Sequence, residues 1–322
     1  MLKVLIGPSP LAQKTGPFLD LLRSAGFEPV YPRRQAQMTE AELIEQLPAV
    51  DASLAGSEPY TRRVIESAPR LRVIARVGVG YDTVDVAAAT ERGVPVTIAP
   101  GTNHDAVAEH TFMLMLALAK NLIPQHLGVK AGGWPRYASA PLRGKVLGIL
   151  GLGRIGKAVA LRGRAFGMTV IATEQYPDRD FMTAHGIELV DVDTLFARAD
   201  YLTLHVPATP ESTGIVNART LGRMKPTAYL INTARGAVVN EADLADALRS
   251  GRLAGAGLDV LEQEPPQNCP LVELDNVVFT AHTAGVDHQS LMEMAYSAAQ
   301  AIVDIFAGRW PTEKLVNPQV RR

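Results

Sequence analysis

The chain has 322 residues, which exceeds the usual size of one domain, so two domains with separate cores are expected. Its formal net charge of -1 and its dispersed Lys and Arg residues argue against a nucleic-acid partner. A single cysteine, Cys269, rules out an internal disulfide and a cysteine-based metal site, and no pair of histidines has metal-ligand spacing. These features fit a cytoplasmic protein without a bound metal.

The apolar stretches are too short for membrane insertion. Residues 1–6 form a run that Gly7 and Pro8 end, so they predict a buried strand and not a signal peptide. The longest apolar stretch, 111–119, has about half of the ~20 residues that a membrane span needs. It therefore predicts a buried helix, and no membrane association is expected.

The first hundred residues contain short apolar, β-branched runs that alternate with helix-like segments. This alternation is typical of parallel sheets with crossover helices. A helix is predicted over residues 39–47, because Thr39 is a suitable N-cap and Glu42 follows three residues later. The predicted strands are residues 3–6, 29–31, 52–55, 71–76 and 94–98.

A second series of strands follows a long predicted helix at 105–121 and a Gly- and Pro-rich stretch at 128–144. A last helix, 290–307, is expected to pack back on the first unit. The six predicted strands, the number in a doubly wound dinucleotide fold, are residues 145–150, 169–173, 201–206, 228–232, 255–260 and 277–280.

A glycine-rich loop, Gly151-Leu-Gly-Arg-Ile-Gly156, lies between a predicted strand and a predicted helix. In that context Gly151 permits a sharp turn, Gly153 lets the backbone approach a pyrophosphate, and Gly156 allows close helix packing. Glu174, eighteen residues after Gly156 at the end of the next strand, is placed to bond a ribose diol and to repel a 2′-phosphate. NAD is therefore favoured as the cofactor. NADP is less favoured, although Arg179 lies near enough in sequence to keep it open.

Three residues in the last third of the chain combine the groups needed for proton transfer next to an acid group. Arg235 can grip a carboxylate through two parallel hydrogen bonds, and the Glu264 carboxylate can orient and charge the His282 imidazole. Downstream of a nucleotide-binding loop, this set indicates hydride chemistry on a 2-oxo or 2-hydroxy acid.

These motifs together resemble the D-isomer-specific 2-hydroxyacid dehydrogenase family, and within it the D-3-phosphoglycerate dehydrogenase and hydroxypyruvate reductase group. The resemblance covers nearly the whole chain. Besides the glycine loop, it is carried by residues 76–82, 103–110, 205–207, 232–236, 257–260, 264–265 and 282.

The resemblance implies an α/β fold of two doubly wound parallel-sheet domains. A Rossmann NAD-binding domain, 102–287, is inserted into a flavodoxin-like substrate-binding lid domain, 1–101 plus 288–322. It implies a homodimer formed through the NAD-binding domains, with the apolar helix 111–119 as a possible contact. No C-terminal regulatory domain like that of some members is expected in these 322 residues.

The resemblance also assigns residues to roles. Arg235 binds the substrate carboxylate, Glu264 is the partner of His282, and His282 is the acid and base. Substrate contacts from the first domain are expected from Arg76, where a strand-end ion pair is the alternative, and from the N–H groups of Val77 and Gly78. The residues implied for NAD, beyond Gly151, Gly153, Gly156 and Glu174, are Arg154, Ile155, Val206, Pro207, Thr213, Thr233, Ala234, Asp259, Ala284 and Gly285.

Two other functions stay open at the level of sequence. A non-enzymatic NAD-sensing protein resembling the corepressors of this family could keep the same residues, and phosphite oxidation could use the same scaffold. Glu264 argues against formate oxidation, because the formate enzymes depart from the family at that acid. The stretch 55–60 lacks the arginine that often reaches the substrate phosphate, which puts phosphoglycerate itself in doubt as a substrate.

Overall fold

The computed structural model describes residues 1–34 and 36–321. The chain divides into two compact units, where the sequence predicted domains at 1–101 with 288–322 and at 102–287. Unit 1 consists of Met1–Asn103 and Val286–Arg322, and unit 2 is His104–Gly285. Both are α/β units built on parallel sheets, as the sequence predicted.

Unit 1 contains a five-stranded sheet in the order β2-β1-β3-β4-β5, the flavodoxin-like order. Its strands are β1 (Leu2–Ile6), β2 (Phe27–Val30), β3 (Ala52–Ala55), β4 (Ile74–Arg76) and β5 (Val96–Thr97). Its helices are α1 (Pro17–Ser24), α2 (Glu40–Gln46), α3 (Arg62–Ser67), α4 (Val86–Glu91) and, near the end of the chain, α12 (His288–Phe306).

The sheet of unit 1 is covered on both faces. Successive residues of β1 point to opposite sides, so Val4 and Ile6 join one buried cluster while Leu5 joins the other. Helix α12 packs against α1 and belongs to the first of these clusters, as its return to this unit required. Thr39 caps α2 through the predicted capping box with Glu42.

Unit 2 contains a seven-stranded sheet in the order β12-β11-β10-β9-β6-β7-β8. The chain runs outward in one direction from β6 to β8 and in the other from β9 to β12, so β6 and β9 border the topological switch point. The strands are β6 (Val146–Leu150), β7 (Thr169–Thr173), β8 (Glu188–Leu189), β9 (Tyr201–Leu204), β10 (Tyr229–Asn232), β11 (Gly255–Leu258) and β12 (Val277–Phe279).

The helices of unit 2 cover both faces of its sheet. Helix α5, predicted as a long helix, packs against α7, β10 and β11. The helices are α5 (His104–Ala119), α6 (Leu122–Lys130), α7 (Arg154–Ala165), α8 (Arg179–His185), α9 (Val192–Arg198), α10 (Ala218–Leu221) and α11 (Glu241–Arg249).

Helix α5 is buried for most of its length, and it is too short to span a membrane by itself. Within residues 1–34 and 36–321 no single helix is long and apolar enough to cross a bilayer. Only α5 and α6 taken together reach that length and composition, and they meet at a 61° bend. The same residues contain no group of His, Cys, Asp and Glu that could hold a metal ion.

Candidate active site

The three predicted catalytic residues follow three neighbouring strands of unit 2. Arg235 lies after β10, Glu264 after β11 and His282 after β12. Because parallel strands end at the same edge of the sheet, their following loops are side by side. The fold thus brings to one edge residues that lie up to 47 positions apart in sequence.

The loop that carries Arg235 is held by Asn232, the last residue of β10. Asn232 is buried, its Oδ1 accepts the N–H of Ala234 at 3.0 Å, and its Nδ2 donates to the carbonyl of Arg235 at 2.8 Å. The Arg235 guanidinium donates through Nη1 to the Ala234 carbonyl at 2.6 Å. Asn232 therefore fixes the direction of the arginine, a role that was not assigned from the sequence although the residue begins the motif.

Glu264 and His282 form a direct hydrogen-bonded pair. His282 Nδ1 lies 2.7 Å from Glu264 Oε2, and the other oxygen, Oε1, accepts the N–H of Leu261 at 3.1 Å. Both side chains are partly open to solvent, with relative exposures of 40% and 37%. A carboxylate has no hydrogen to give at neutral pH, so Nδ1 carries the hydrogen and Nε2 is the nitrogen left for chemistry.

Gly236 brings the loops of Arg235 and Glu264 into backbone contact. A Cβ at Gly236 would lie 2.0 Å from the carbonyl carbon and oxygen of Leu261, so no larger residue fits without moving a loop. Leu261 is the residue whose N–H binds Glu264. The predicted arginine and the predicted carboxylate are thus mounted on two loops that touch.

His282 itself has an unusual backbone conformation, which Asp259 supports. Its φ of +53° lies in the left-handed region, which non-glycine residues rarely adopt. The His282 N–H donates to the Asp259 carbonyl at 2.8 Å, and the buried Asp259 carboxylate accepts the N–H groups of Thr283 and Ala284, both at 2.9 Å. The Asp259 carboxylate therefore supports the His282 loop, and its role toward nicotinamide stays a prediction.

The glycine loop has the geometry that a pyrophosphate site needs. Gly151 adopts a φ of +94°, and a Cβ at Gly156 would lie 2.1 Å from the Gly151 carbonyl oxygen, so the helix packs tightly on the turn. Gly153 is the N-cap of the twelve-residue α7, and nothing lies within 4 Å of where its Cβ would be. Open space at the N-terminus of a helix fits the phosphates of a dinucleotide.

Glu174 directly follows β7, and its contact with a ribose stays a prediction. Its carboxylate accepts the N–H of Leu152 at 2.7 Å and that of Tyr176 at 3.1 Å, so it also braces the glycine loop. A surface pocket lined by Glu174 also includes Asp191. Hydrogen bonds from Thr194 hold the pKa of Asp191 below its usual value, so two carboxylates border this pocket.

The remaining residues implied for NAD lie at the start of α7, in other loops at the same sheet edge, or in the loops of Arg235 and His282. Val206 and Pro207 follow β9 on the other side of the switch point, and a Cβ at Gly151 would lie 2.8 Å from Val206 Cγ1. The Thr213 hydroxyl donates to Thr209, and the buried Thr233 hydroxyl lies 3.1 Å from Thr111. The other predicted positions are exposed Arg154, half-buried Ile155 and Gly285, and buried Ala234 and Ala284.

His205 follows β9 and has a ring nitrogen without a partner. Nε2 lies 3.1 Å from Thr203 Oγ1, while Nδ1 is shielded from solvent and bonds no atom of residues 1–34 and 36–321. The residue as a whole is only partly covered, but its ring is enclosed, and this burial lowers the pKa of His205 to about 3. His205 is therefore neutral at ordinary pH.

The predicted substrate residues of unit 1 lie at the carboxyl edge of its sheet. Arg76, the last residue of β4, is buried; it donates through Nε to the Gly80 carbonyl at 2.8 Å and through Nη1 to the Ala55 carbonyl at 3.2 Å. These two contacts are with backbone carbonyls of unit 1, and both the substrate contact and the strand-end ion pair considered for Arg76 stay predictions. The Val77 N–H donates to the Ala55 carbonyl at 2.8 Å, so it already has a partner within unit 1, and the substrate contacts expected from Val77 and Gly78 stay predictions.

The stretch that lacks the phosphate-binding arginine instead contains a buried acid. Glu58 is 1% exposed, and its carboxylate accepts the N–H of Gly56 at 2.5 Å. Burial raises the pKa of Glu58, and the charge of Arg76 partly opposes this effect. The loop after β3 therefore presents no cation of its own in place of that arginine.

Comparison with known proteins decides the family. Residues 112–284 match the family described as "D-isomer specific 2-hydroxyacid dehydrogenase, NAD binding domain". The chain belongs to the D-isomer specific 2-hydroxyacid dehydrogenase family. The resemblance drawn from the sequence motifs and the predicted α/β fold are thereby confirmed, and the glycine loop lies within the family's NAD-binding domain.

Members of this dehydrogenase family with several names are similar to the chain. It is 40% identical over 284 residues to D-3-phosphoglycerate dehydrogenase of Methanocaldococcus jannaschii, a match that covers 87% of this chain and 54% of the relative. It is 38% identical to glyoxylate reductase of Korarchaeum cryptofilum, with 89% and 88% covered. The chain thus spans about half the length of the phosphoglycerate dehydrogenase relative.

A solved structure shares the whole fold. D-lactate dehydrogenase from Aquifex aeolicus, complexed with NAD and lactic acid, has a TM-score of 0.86 and 27% identity to this chain, with 98% of this chain and 99% of that chain covered. The relatives act on different acids, so membership of the family leaves the substrate to be argued from the residues.

Proposed function

We propose that the protein is an NAD-dependent oxidoreductase that transfers hydride between the nicotinamide and C2 of a small D-2-hydroxy acid or 2-oxo acid. The observation that supports this proposal is the hydrogen-bonded pair of His282 and Glu264, whose atoms lie 2.7 Å apart. The pair is at the same edge of the sheet as Arg235. The family's NAD-binding domain supplies the cofactor side of the reaction.

His282 is the proposed acid and base. Its Nδ1 is bound to Glu264, so Nε2 gives a proton to the carbonyl oxygen during reduction and takes one from the hydroxyl group during oxidation. Glu264 holds the ring direction and stabilises the charged imidazole that forms during oxidation. Arg235 binds the substrate carboxylate with its planar fork, which sets the distance of C2 from the histidine.

The residues present fit a dinucleotide. Gly151, Gly153 and Gly156 would admit the pyrophosphate at the start of α7, and Glu174 would bond the adenosine ribose. When bound, the nicotinamide supplies or accepts the hydride. The carboxylates of Glu174 and Asp191 would repel a 2′-phosphate, which supports NAD over NADP.

The substrate class follows from the charge of the loops at the carboxyl edge of unit 1. The loop after β3 has Glu58 where related enzymes often have an arginine, and two N–H groups of Arg76 are held by backbone carbonyls. A phosphate on the substrate tail would therefore lack the anchor that an arginine after β3 provides in related enzymes. We therefore propose a small acid without a phosphate group, such as glyoxylate, pyruvate or hydroxypyruvate.

The experiment follows NADH and NADPH absorbance with glyoxylate, pyruvate, hydroxypyruvate, phosphohydroxypyruvate and longer 2-oxo acids. We expect turnover with NADH and at least one unphosphorylated acid, and weaker turnover with phosphohydroxypyruvate. No turnover with any acid would instead favour the NAD-sensing alternative.

His282→Ala tests the acid and base assignment. We expect kcat to fall by about 10²- to 10⁴-fold, the usual contribution of a general acid, while the Kd for NADH changes less than about twofold because the glycine loop is untouched. Gln289, an exposed residue seven positions further along the chain, provides a control: Gln289→Ala should keep the wild-type rate. Wild-type turnover in His282→Ala would disprove the assignment.

We further propose a homodimer formed through unit 2 and a cytoplasmic location, the latter supported by the single cysteine. The apolar helix α5, first expected to provide the dimer contact, is largely buried inside unit 2. Exposed apolar side chains instead occur on α6 and the segment after it, and these are Leu122, Ile123, Leu127, Val129, Trp134 and Tyr137. A surface of this kind is typical of association between subunits.

A further inference from the structure

A chain of three polar side chains leads from helix α5 to the loop of His282. His110 Nε2 lies 2.8 Å from Thr280 Oγ1, and Thr280 Oγ1 lies 2.6 Å from Asp259 Oδ1. The direct distance from His110 Nε2 to Asp259 Oδ1 is 3.5 Å, longer than either of these steps. The Asp259 side chain is 1% exposed and that of His110 is 15% exposed, so water competes little for these bonds. All three residues lie in unit 2.

The direction of the hydrogen bonds follows from the hydrogens available. Three donors converge on the Asp259 carboxylate, namely the Thr280 hydroxyl and the N–H groups of Thr283 and Ala284. A hydroxyl group has one hydrogen, so Thr280, which donates to Asp259, must accept from His110. His110 is therefore the donor through Nε2–H.

Asp259 in turn holds the strained backbone at His282. A non-glycine residue in the left-handed region is strained and persists only where its surroundings enforce that conformation. The enforcing contacts are the Asp259 carbonyl at the His282 N–H and the Asp259 carboxylate at the next two N–H groups. The orientation of the Asp259 carboxylate thus sets the backbone that aims His282.

We propose that His110 is a positioning residue for the catalytic histidine. Its Nε2–H orients the Thr280 hydroxyl, the hydroxyl orients Asp259, and Asp259 fixes the loop that directs His282 toward the substrate. The inference rests on the proposed function, because it takes His282 as the acid and base. A histidine that merely filled the core would need no particular ring nitrogen protonated.

The test compares four variants by kcat, KM and the Kd for NADH. His110→Leu should lower kcat about tenfold, with KM and Kd within about twofold of wild type. His110→Gln, whose side-chain amide can replace the Nε2 donor, should recover most of the loss. Thr280→Val should resemble His110→Leu, and Thr280→Ser, which keeps the hydroxyl group, should resemble wild type.

The double variant His110→Leu/Thr280→Val separates one relay from two independent packing effects. If both residues act through Asp259, the double variant loses no more kcat than the worse single variant. Losses that multiply would overturn the proposal, and so would a His110→Gln variant as slow as His110→Leu. Thermal unfolding of each variant checks that the rates are compared between folded proteins.

Two measurements on the resting protein do not depend on turnover. Nitrogen-15 spectra of the imidazoles should show His110 with its hydrogen on Nε2, and amide exchange at Thr283 and Ala284 should become at least tenfold faster in His110→Leu. The other tautomer, or unchanged exchange, would contradict the relay. If wild type reduces no acid, the proposed function fails, while these two results still decide whether the relay exists.

Discussion

The His205 ring links burial to the pH dependence of stability. The ring is enclosed, and its pKa is about 3 in the folded chain against 6.5 for an ordinary histidine. Between these two values the unfolded chain binds a proton that the folded chain does not. The stability contributed by the neutral ring is therefore present above pH 6.5 and is lost as the pH falls toward 3.

His205→Gln tests this link, because glutamine cannot be protonated and can still reach Thr203. Below pH 6.5 we expect the free energy of unfolding of wild type to fall relative to the variant by at most about 1.4 kcal/mol per pH unit. Urea unfolding of both proteins from pH 7.5 to pH 4.5 measures the difference. Parallel curves for the two proteins would show that the ring titrates normally when folded.

Single residues also show which parts of the candidate site can be predicted from the sequence and which cannot. Arg235, Glu264 and His282 could be selected from short motifs, because each residue type has a distinct chemistry. Asn232 and His110 act through contacts that only the fold creates, and Thr280 lies 170 positions from His110. The N–H of Val77 could not be recognised as already bonded without the pairing of β3 with β4.

At the scale of elements, the glycine loop separates a folding role from a binding role. Gly156 is packed against the Gly151 carbonyl, with 2.1 Å to the position of a Cβ, whereas Gly153 has open space beside it. Gly153 also has a φ of -69°, which any residue adopts. The two glycines therefore predict different failures for the same substitution.

Gly156→Ala should lower both the thermal midpoint and NADH affinity, because the added methyl group forces α7 away from the turn. Gly153→Ala should unfold within a few degrees of wild type and still bind NADH at least tenfold more weakly, because the methyl group occupies the approach of the pyrophosphate. Calorimetry and NADH fluorescence titration of both variants provide the comparison. Equal loss of stability in the two variants would be inconsistent with this division.

The elements themselves were predicted best where their pattern is strong. The sequence predicts the bounds of β6 and β7 to within one residue, because each strand is a buried apolar run with turn residues on both sides. The two-residue β8 was missed because both of its side chains are exposed and leave no apolar pattern. Helix α6 extends to Lys130 into a stretch that was assigned from Gly128 onward as Gly- and Pro-rich.

At the scale of the whole molecule, the order of strands explains why distant motifs work together. In unit 2 the glycine loop follows β6, and the loops of Arg235, Glu264 and His282 follow β10, β11 and β12 on the other side of the switch point. The motifs show the order of the strands along the chain. Their order within the sheet follows from the doubly wound topology, which the motifs alone do not give. The return of α12 to unit 1 likewise depends on packing between residues separated by more than 250 positions.

The apolar surface of α6 provides the last test, which concerns assembly. Leu127 is 58% exposed on α6, and Val272, in the same unit but on another segment, is 55% exposed. If α6 lies in a dimer interface, Leu127→Glu buries a charge there and should weaken association at least tenfold. Val272→Glu adds the same charge to a comparably exposed site and should leave the dimer intact.

Sedimentation velocity at micromolar concentration distinguishes the monomer from the dimer. A monomeric wild type would refute the dimer, whereas a dimeric Leu127→Glu with a dimeric wild type would place the interface elsewhere on the protein.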